Sequence, residues 1–535
     1  MDAQSTLVLT ISGRPASGNY DSVHLVNGGS ATLAGALDIQ FNGGFKPVDF
    51  DQYTVLATTG AVHGQFRTLT SNLPSTFFIQ KVSAGTGDSI EIINQTLFSP
   101  YAGSANGLAV ANYIDHFATP FGKVPQELQI ALAELSLLPP GQISATLERL
   151  TPQAPAEVTS GIAVQNGIFE SQQVFEQIRE QFNGITAFNI ARFSVLNDPD
   201  ADPFTADLDS IMHSNAQAAQ AAANLDVTPA DAGANGPVPA APTPYPIALT
   251  PPNSLSGFLT GQVIFAKLPG VNNQNPSFTT GNAIAGINYD IASRLALGTF
   301  FQYGYTGAKL DDAGGTLTDH SYSPGVYAGL RKRDVHLDAL ASYTYNDYTQ
   351  HRDILNTTAS SRPAGNQLDL SAMAGYDFGP PSYAFGSAGQ GLKWGPAVGL
   401  GYTYLNISGY SETGGAINLN VSSQTVNSLR SLLGGQVSDT WHGTSSPLPW
   451  SWNLSAFWQH EYLDDSQSIT ASITGLGGSF AVNTARPQRD SALLGAGLNG
   501  YLSKNISVFL DYQTQIGENN LLVQSVMAGV AVALK

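Results

Sequence analysis

From Leu255 to Lys535 the chain falls into segments in which apolar and polar residues alternate, with Tyr, Phe and Trp crowded at the segment ends. In one of them Val335, Leu337, Ala339, Ala341, Tyr343 and Tyr345 share a face, and His336, Asp338, Ser342 and Thr344 share the other, with Leu340 the exception. Period two says only that the two faces of a strand meet different media. The pattern becomes a fold prediction because it repeats to the chain end: strands are expected at about 255–268, 279–290, 293–307, 317–332, 334–350, 366–378, 393–407, 424–440, 449–463, 487–501, 504–516 and 522–534. These make about twelve, an even number, and each exceeds the roughly nine to eleven tilted residues that cross hydrocarbon. In lipid an open sheet edge has no water to satisfy it, so the two ends of this region are expected to pair and close a transmembrane β-barrel.

Upstream the pattern changes. Residues 1–96 carry short strands such as Ala31–Ile39, Tyr53–Leu56 and Ser89–Ile93, separated by Asn27-Gly28-Gly29, Asn42-Gly43-Gly44 and Gly85-Thr86-Gly87. They predict a β-solenoid end, whose coils must stack to bury an apolar face, or a small β-sandwich. Residues 97–196 turn helical: Leu128, Leu132 and Leu135 lie on one face, Ile168, Phe169, Val174, Phe175 and Ile178 form another stripe, and Pro139-Pro140 and Pro152 punctuate. These read as packing helices. Residues 197–254 are rich in Ala, Pro and Asp and read as a tether, with a short helix near Asp207–Asn224 that is suited to thread a pore.

Composition supports a lipid-facing surface, since only 12% of the 535 residues are charged while 42% are hydrophobic, and no helical membrane span is present. Of the net charge of −18, residues 1–254 carry 22 acidic and 8 basic side chains and residues 255–535 carry 18 and 14, which leaves no basic face for nucleic acid. Cysteine is absent, so disulfides and thiolate metal sites are excluded. Met1-Asp2-Ala3-Gln4 has no basic export signal and Leu7–Ile11 is too short for its apolar core, so a start further upstream, or a longer exported protein, is expected.

Candidate chemistry is sparse. His460-Glu461 lacks the second His of a zinc helix, Asp464 standing in its place. Asp198, Asp200 and Asp202 alternate like a calcium loop, but Pro203 replaces the Gly and Asp209 the Glu that such a loop needs. Asp311-Asp312 reads as a turn. Gly87-Asp88-Ser89 and Asp439-Thr440-Trp441-His442 carry the residue types of a hydrolase triad, on segments that are expected to fold apart. No catalytic residue, cofactor or metal is therefore expected. The ionisable residues Arg430, Glu461, Arg489 and Asp511 are instead assigned to the pore wall, because a charge at membrane depth must line water or find a partner. An outer aromatic belt is expected from Phe258, Phe265, Tyr289, Tyr343, Tyr402, Trp458 and Tyr512.

The run Asn427–Gly435, then Ala456–Tyr462, Arg489 with Gly495–Leu498, and Val508–Tyr512 resembles, in order and spacing, the translocator domain of the autotransporter (type V secretion) family. Ala31–Phe66 resembles the last passenger coils of that family. The resemblance implies an outer-membrane barrel, monomeric and inserted by the barrel-assembly machinery, that carries its own passenger to the cell surface. The ligand of such a passenger is not readable. One departure is the non-aromatic end Val530–Lys535, where the family usually ends in an aromatic residue that aids insertion. Another is that residues 205–255 hold no Asn-Asn pair, so self-cleavage at such a site is not expected. The other readings of the same pattern are a passive porin-like channel with a soluble N-terminal extension, or a surface adhesin.

Overall fold

The computed structural model describes all residues except 74, 86, 118–123, 183–253, 269–275, 292–293, 311–313, 333, 380–391, 444–445, 464–465, 487–488, 504–505, 519–520 and 535. The segment near Asp207–Asn224 expected to thread the pore, the acids at 198–209 and Asp311-Asp312 lie outside the described residues.

Twelve strands close the barrel: β1 (Ser254–Lys267), β2 (Ser277–Ile291), β3 (Leu295–Lys309), β4 (Gly315–Lys332), β5 (Val335–Ile354), β6 (Ala364–Tyr376), β7 (Lys393–Ile407), β8 (Gln424–Gly443), β9 (Ser446–Glu461), β10 (Asp490–Ser503), β11 (Ile506–Gly517) and β12 (Leu522–Leu534). Neighbours pair antiparallel, and β1 pairs with β12, from Leu255 opposite Leu534 to Lys267 opposite Leu522, so no edge is left open. Alternation places Leu259, Val263, Leu400 and Leu454 outside, and Thr260, Gln262, Thr403 and Gln459 inside. Leu340, the exception on β5, is turned inward with its polar neighbours.

At one end the connections between strands are turns, apart from residues 377–392, and both β1 and β12 have their chain ends there. The other end bears the long connections. Two of these contribute the short strands Tyr410–Ser411, Leu419–Val421, Ser468–Ile473 and Phe480–Asn483, which form a four-stranded sheet over the mouth.

Residues 6–96 form the β-solenoid, which removes the sandwich alternative. Strands at 6–11, 36–41 and 68–71 stack parallel, as do 23–25 on 52–58 and 31–33 on 62–64. Leu37, Ile39, Tyr53 and Ile92 fill the core. The antiparallel strands 75–84 and 87–96 finish the stack. Ser89 lies in the second of these, in the coils, whereas Asp439 lies on the barrel strand β8.

Helices α1 (Ala105–Phe117), α2 (Gln126–Ser136) and α3 (Pro140–Arg149) then share a core with the mouth sheet. Tyr113 packs on Phe480 with ring centroids 5.1 Å apart, and its hydroxyl accepts from the Ile473 N–H at 3.2 Å. Asn106 pairs its side-chain amide with both backbone groups of Asn483, at 2.7 and 3.0 Å, as a neighbouring strand would.

Candidate functional site

Helix α4 (Gln153–Phe182) is the centre of the site. Among its residues with described side chains, nearly all are buried, yet they include Gln165, Asn166, Glu170, Gln172, Gln173, Glu176 and Gln177 as well as the apolar stripe. A helix buried on every side without being apolar on every side suits one environment, a polar tube. α4 occupies the barrel lumen. The sequence reading of this stretch as a packing helix is correct in kind, but the partner is the inside of the barrel wall, and the polar residues between the apolar ones were the signal.

Its contacts descend from the mouth. Glu157 accepts from the Ala485 N–H at 2.6 Å in a mouth loop. Gly161 lies against Leu268, where an added Cβ would collide with the leucine side chain. Gln367 on β6 donates to the Ala163 carbonyl at 3.1 Å, and Arg430 on β8 donates to the Val164 carbonyl at 3.2 Å. These two side chains are joined through Asp369 and Thr403: Gln367 donates to Asp369 at 2.6 Å, Thr403 donates to Asp369 at 2.6 Å, and Arg430 donates to Thr403 at 2.9 Å. Gly167 faces the same cluster, and any side chain there would strike Asp369. Deeper, Ser342 donates to Glu170 at 2.5 Å, and Asp511 is within electrostatic reach of the Glu176–Arg179 pair, whose own contact is 2.7 Å. The cluster thus holds α4 by main-chain carbonyls at a point where glycine lets helix and wall approach. Sequence reading singled out Arg430 but missed Gln367, Asp369 and Thr403, which alternation on β6 and β7 marks as inward and polar.

The four residues expected on the pore wall are placed differently from one another. Arg430 and Asp511 are buried and face the lumen. Glu461 stands opposite Arg430 in register, and its carboxylate accepts from Ser428 Oγ at 2.6 Å and the Leu429 N–H at 2.9 Å, and from the Tyr462 and Leu463 N–H groups at 3.1 Å, which ties the mouth ends of β8 and β9 together. Arg489 is exposed and precedes β10, so it lies at the rim instead of the wall, with its carbonyl accepting from the Glu461 N–H at 2.8 Å.

In the expected belt, Phe265, Tyr289, Tyr343, Trp458 and Tyr512 are exposed on the outer wall and Tyr402 is half-buried, donating to Asn427 at 2.9 Å. Phe258 is a correction: it is 5% exposed and points inward, in phase with Thr260 and Gln262. The reason is the phase of the strand, which sets Phe258 and Phe265 on opposite faces, and Gly286, its partner on β2, leaves room for the ring that any side chain there would strike. Phe300 over Gly325, Tyr327 over Gly298 and Phe509 over Gly529 repeat the arrangement.

The helix does not fill the tube. A cavity of about 110 Å³ remains near the mouth, between Gly161, Val164 and Gln165 on α4 and Arg430, Gln459 and Gln515 on the wall. Among the described residues no group of His, Asp and Glu is arranged to hold a metal ion.

Residues 264–513 match the family model described as the autotransporter β-domain. Two extracellular serine proteases of Serratia marcescens are 27% and 28% identical over 245 and 247 residues, each match covering 45% of this chain. The chain spans only 22% of the length of these curated relatives. Among solved structures, the translocator domain of the autotransporter NalP from Neisseria meningitidis is 14% identical with a TM-score of 0.43, covering 61% of this chain and 98% of that one. The transport unit of the autotransporter AIDA-I from Escherichia coli is 16% identical with a TM-score of 0.36, covering 52% and 90%.

Proposed function

Residues 264–513 form an autotransporter β-domain, a barrel of the outer membrane, and from that premise we propose that the chain anchors and displays its own N-terminal part at the cell surface. The observation that carries the proposal is α4. It enters the lumen at the end with the long connections, which in outer-membrane barrels is the outer face. The coils and α1–α3 lie on that side, while β1 begins at the opposite end. A chain arranged in this way has its N-terminal part outside and its barrel start inside, with α4 as the connection through the membrane. The role is transport and attachment without turnover of a small molecule, and the activity in the names of the Serratia relatives is not carried over. Insertion of a monomeric barrel by the barrel-assembly machinery, into outer-membrane lipid, is part of the same proposal.

The test places an epitope in the Gly43-Gly44 turn of the full chain and treats intact cells with protease. The expected result is loss of the epitope with the barrel preserved. Protection until the cells are lysed would place the coils in the periplasm and support the porin-like reading, as would large ungated conductance of the intact protein. With α4 in place conductance should be small, and deleting residues 153–182 should raise it severalfold.

A further inference from the structure

We propose that the outer wall across β1, β2 and β3, at the mouth end, binds a phosphate-bearing lipid headgroup of the outer leaflet. A groove of about 380 Å³ runs there, lined by Phe265, Lys267, Ser277, Thr279, Gly307 and Lys309 among others. Register fixes the arrangement: Lys267 pairs with Ser277 and Ser277 with Lys309, so two lysines on alternate strands flank one serine in a single row. Their Cα atoms are separated by two strand spacings, roughly 10 Å. Two side chains of lysine length close that gap onto one phosphate or onto the two ends of a diphosphorylated headgroup. The next row toward the membrane is Phe265, Thr279 and Gly307, which sets hydroxyl donors and an open floor beneath the charges and an exposed ring beside them. A Cβ added at Gly307 would meet no atom within 4 Å, so the floor is empty on the outer side.

The charges are the reason for naming a phosphate. Both lysines are exposed, and neither makes an ion pair among the described residues. Among the described residues no carboxylate lines the groove. Elsewhere at this end two outward carboxylates have partners on the wall: Asp353 accepts from Thr358 at 2.8 Å, and Asp490 accepts from Trp458 at 2.9 Å. A single lysine at the boundary satisfies itself by reaching toward water. Two lysines over a small, hydroxyl-bearing floor, with an aromatic ring below, match a ligand that has an anionic head and an apolar tail. Basic side chains at a membrane surface attract anionic headgroups.

The site lies in the outer leaflet only if the mouth faces outward, as the proposed function holds. The surface-protease experiment reads that orientation separately, so the two failures are distinguishable. Full-length protein in detergent is titrated with lipid A, a diphosphorylated lipid, and bound lipid is counted by native mass spectrometry. Lys267→Gln with Lys309→Gln should weaken binding by roughly ten- to thirtyfold. Gly307→Phe, which fills the groove and keeps both charges, should weaken it comparably, whereas Lys332→Gln at the opposite end should leave it unchanged. Millimolar inorganic phosphate should not displace the lipid, and phosphatidylcholine should not substitute for it. Equal retention by the double variant, or equal loss in Lys332→Gln, would overturn the site. Displacement by inorganic phosphate would reduce it to an anion site and overturn the lipid assignment.

Discussion

In the N-terminal coils Leu37, Ile39 and Ile92 point into a dry interior, whereas on the barrel Leu259, Val326 and Leu400 point away from the centre and Asp369, Thr403 and Arg430 point toward it. Both regions alternate with the same period. The difference teaches that alternation reports a contrast between media and not which of them is inside. A solenoid coil is narrow enough for its own side chains to fill, so its inside is apolar. A twelve-stranded barrel is wide enough to hold a helix, so its inside keeps polar groups, and lipid takes the role of the core.

The largest break of this comparison is Ile39→Asp. A carboxylate in the fully buried solenoid core should cost about 4 kcal/mol or more and unfold residues 1–96. The barrel should still migrate as a heat-modifiable species on unboiled gels, and a barrel lost together with the coils would show that the two regions do not fold separately. Arg352→Ala comes next. This buried guanidinium at the mouth end of β5 donates to Glu412, to the Ile417 carbonyl at 3.0 Å and to the Arg149 carbonyl of α3 at 3.1 Å, and its removal leaves Glu412 buried without its cation. A loss of about 3–5 kcal/mol is expected, seen as faster proteolysis of α1–α3 with the membrane strands unaffected. Leu400→Arg, on an outer position that is 59% exposed, should cost about 2–4 kcal/mol if it meets lipid near the midplane, read as a lower denaturant midpoint in vesicles. The neighbouring inward change Thr403→Ser should cost far less, and equal costs would contradict the inverted interior.

The smallest effect concerns pH. Asp49, buried where the coils meet α2, accepts from the Thr96 N–H at 2.7 Å, but burial, with Asp115 and Asp51 nearby, pushes its carboxyl up to about 7. The unfolded group ionises near pH 4, so between there and pH 7 the folded state holds the extra proton. Stability of the coils should therefore fall as pH rises through that window and level off above it. Asp49→Asn should flatten the profile, checked by the denaturant dependence of amide exchange in residues 1–96 at pH 5 and pH 8.

Much of the barrel was legible because each strand carries its own alternation and each is long: the expected strands 393–407 and 522–534 coincide with β7 and β12 within one residue. What could not be read was the interior. Phe258 has the composition of a belt residue, but it stands in phase with Thr260 and Gln262 and out of phase with Phe265, so strand alternation turns it inward, and Gly286 across the sheet makes room for its ring. α4 shows an apolar stripe like that of any packing helix, and its destination depends on a tube assembled from residues 254–534. The mouth sheet was missed because its strands are two to six residues long and pair between separate loops.

The carbonyl contacts at Ala163 and Val164 have a mechanical meaning. A grip on the main chain does not depend on which side chains α4 carries at those positions, and where it is exchanged for water the net loss is small because both partners are already polar. The register of the helix is then set by shape, at the two glycines, Gly161 and Gly167, that let it seat against the wall.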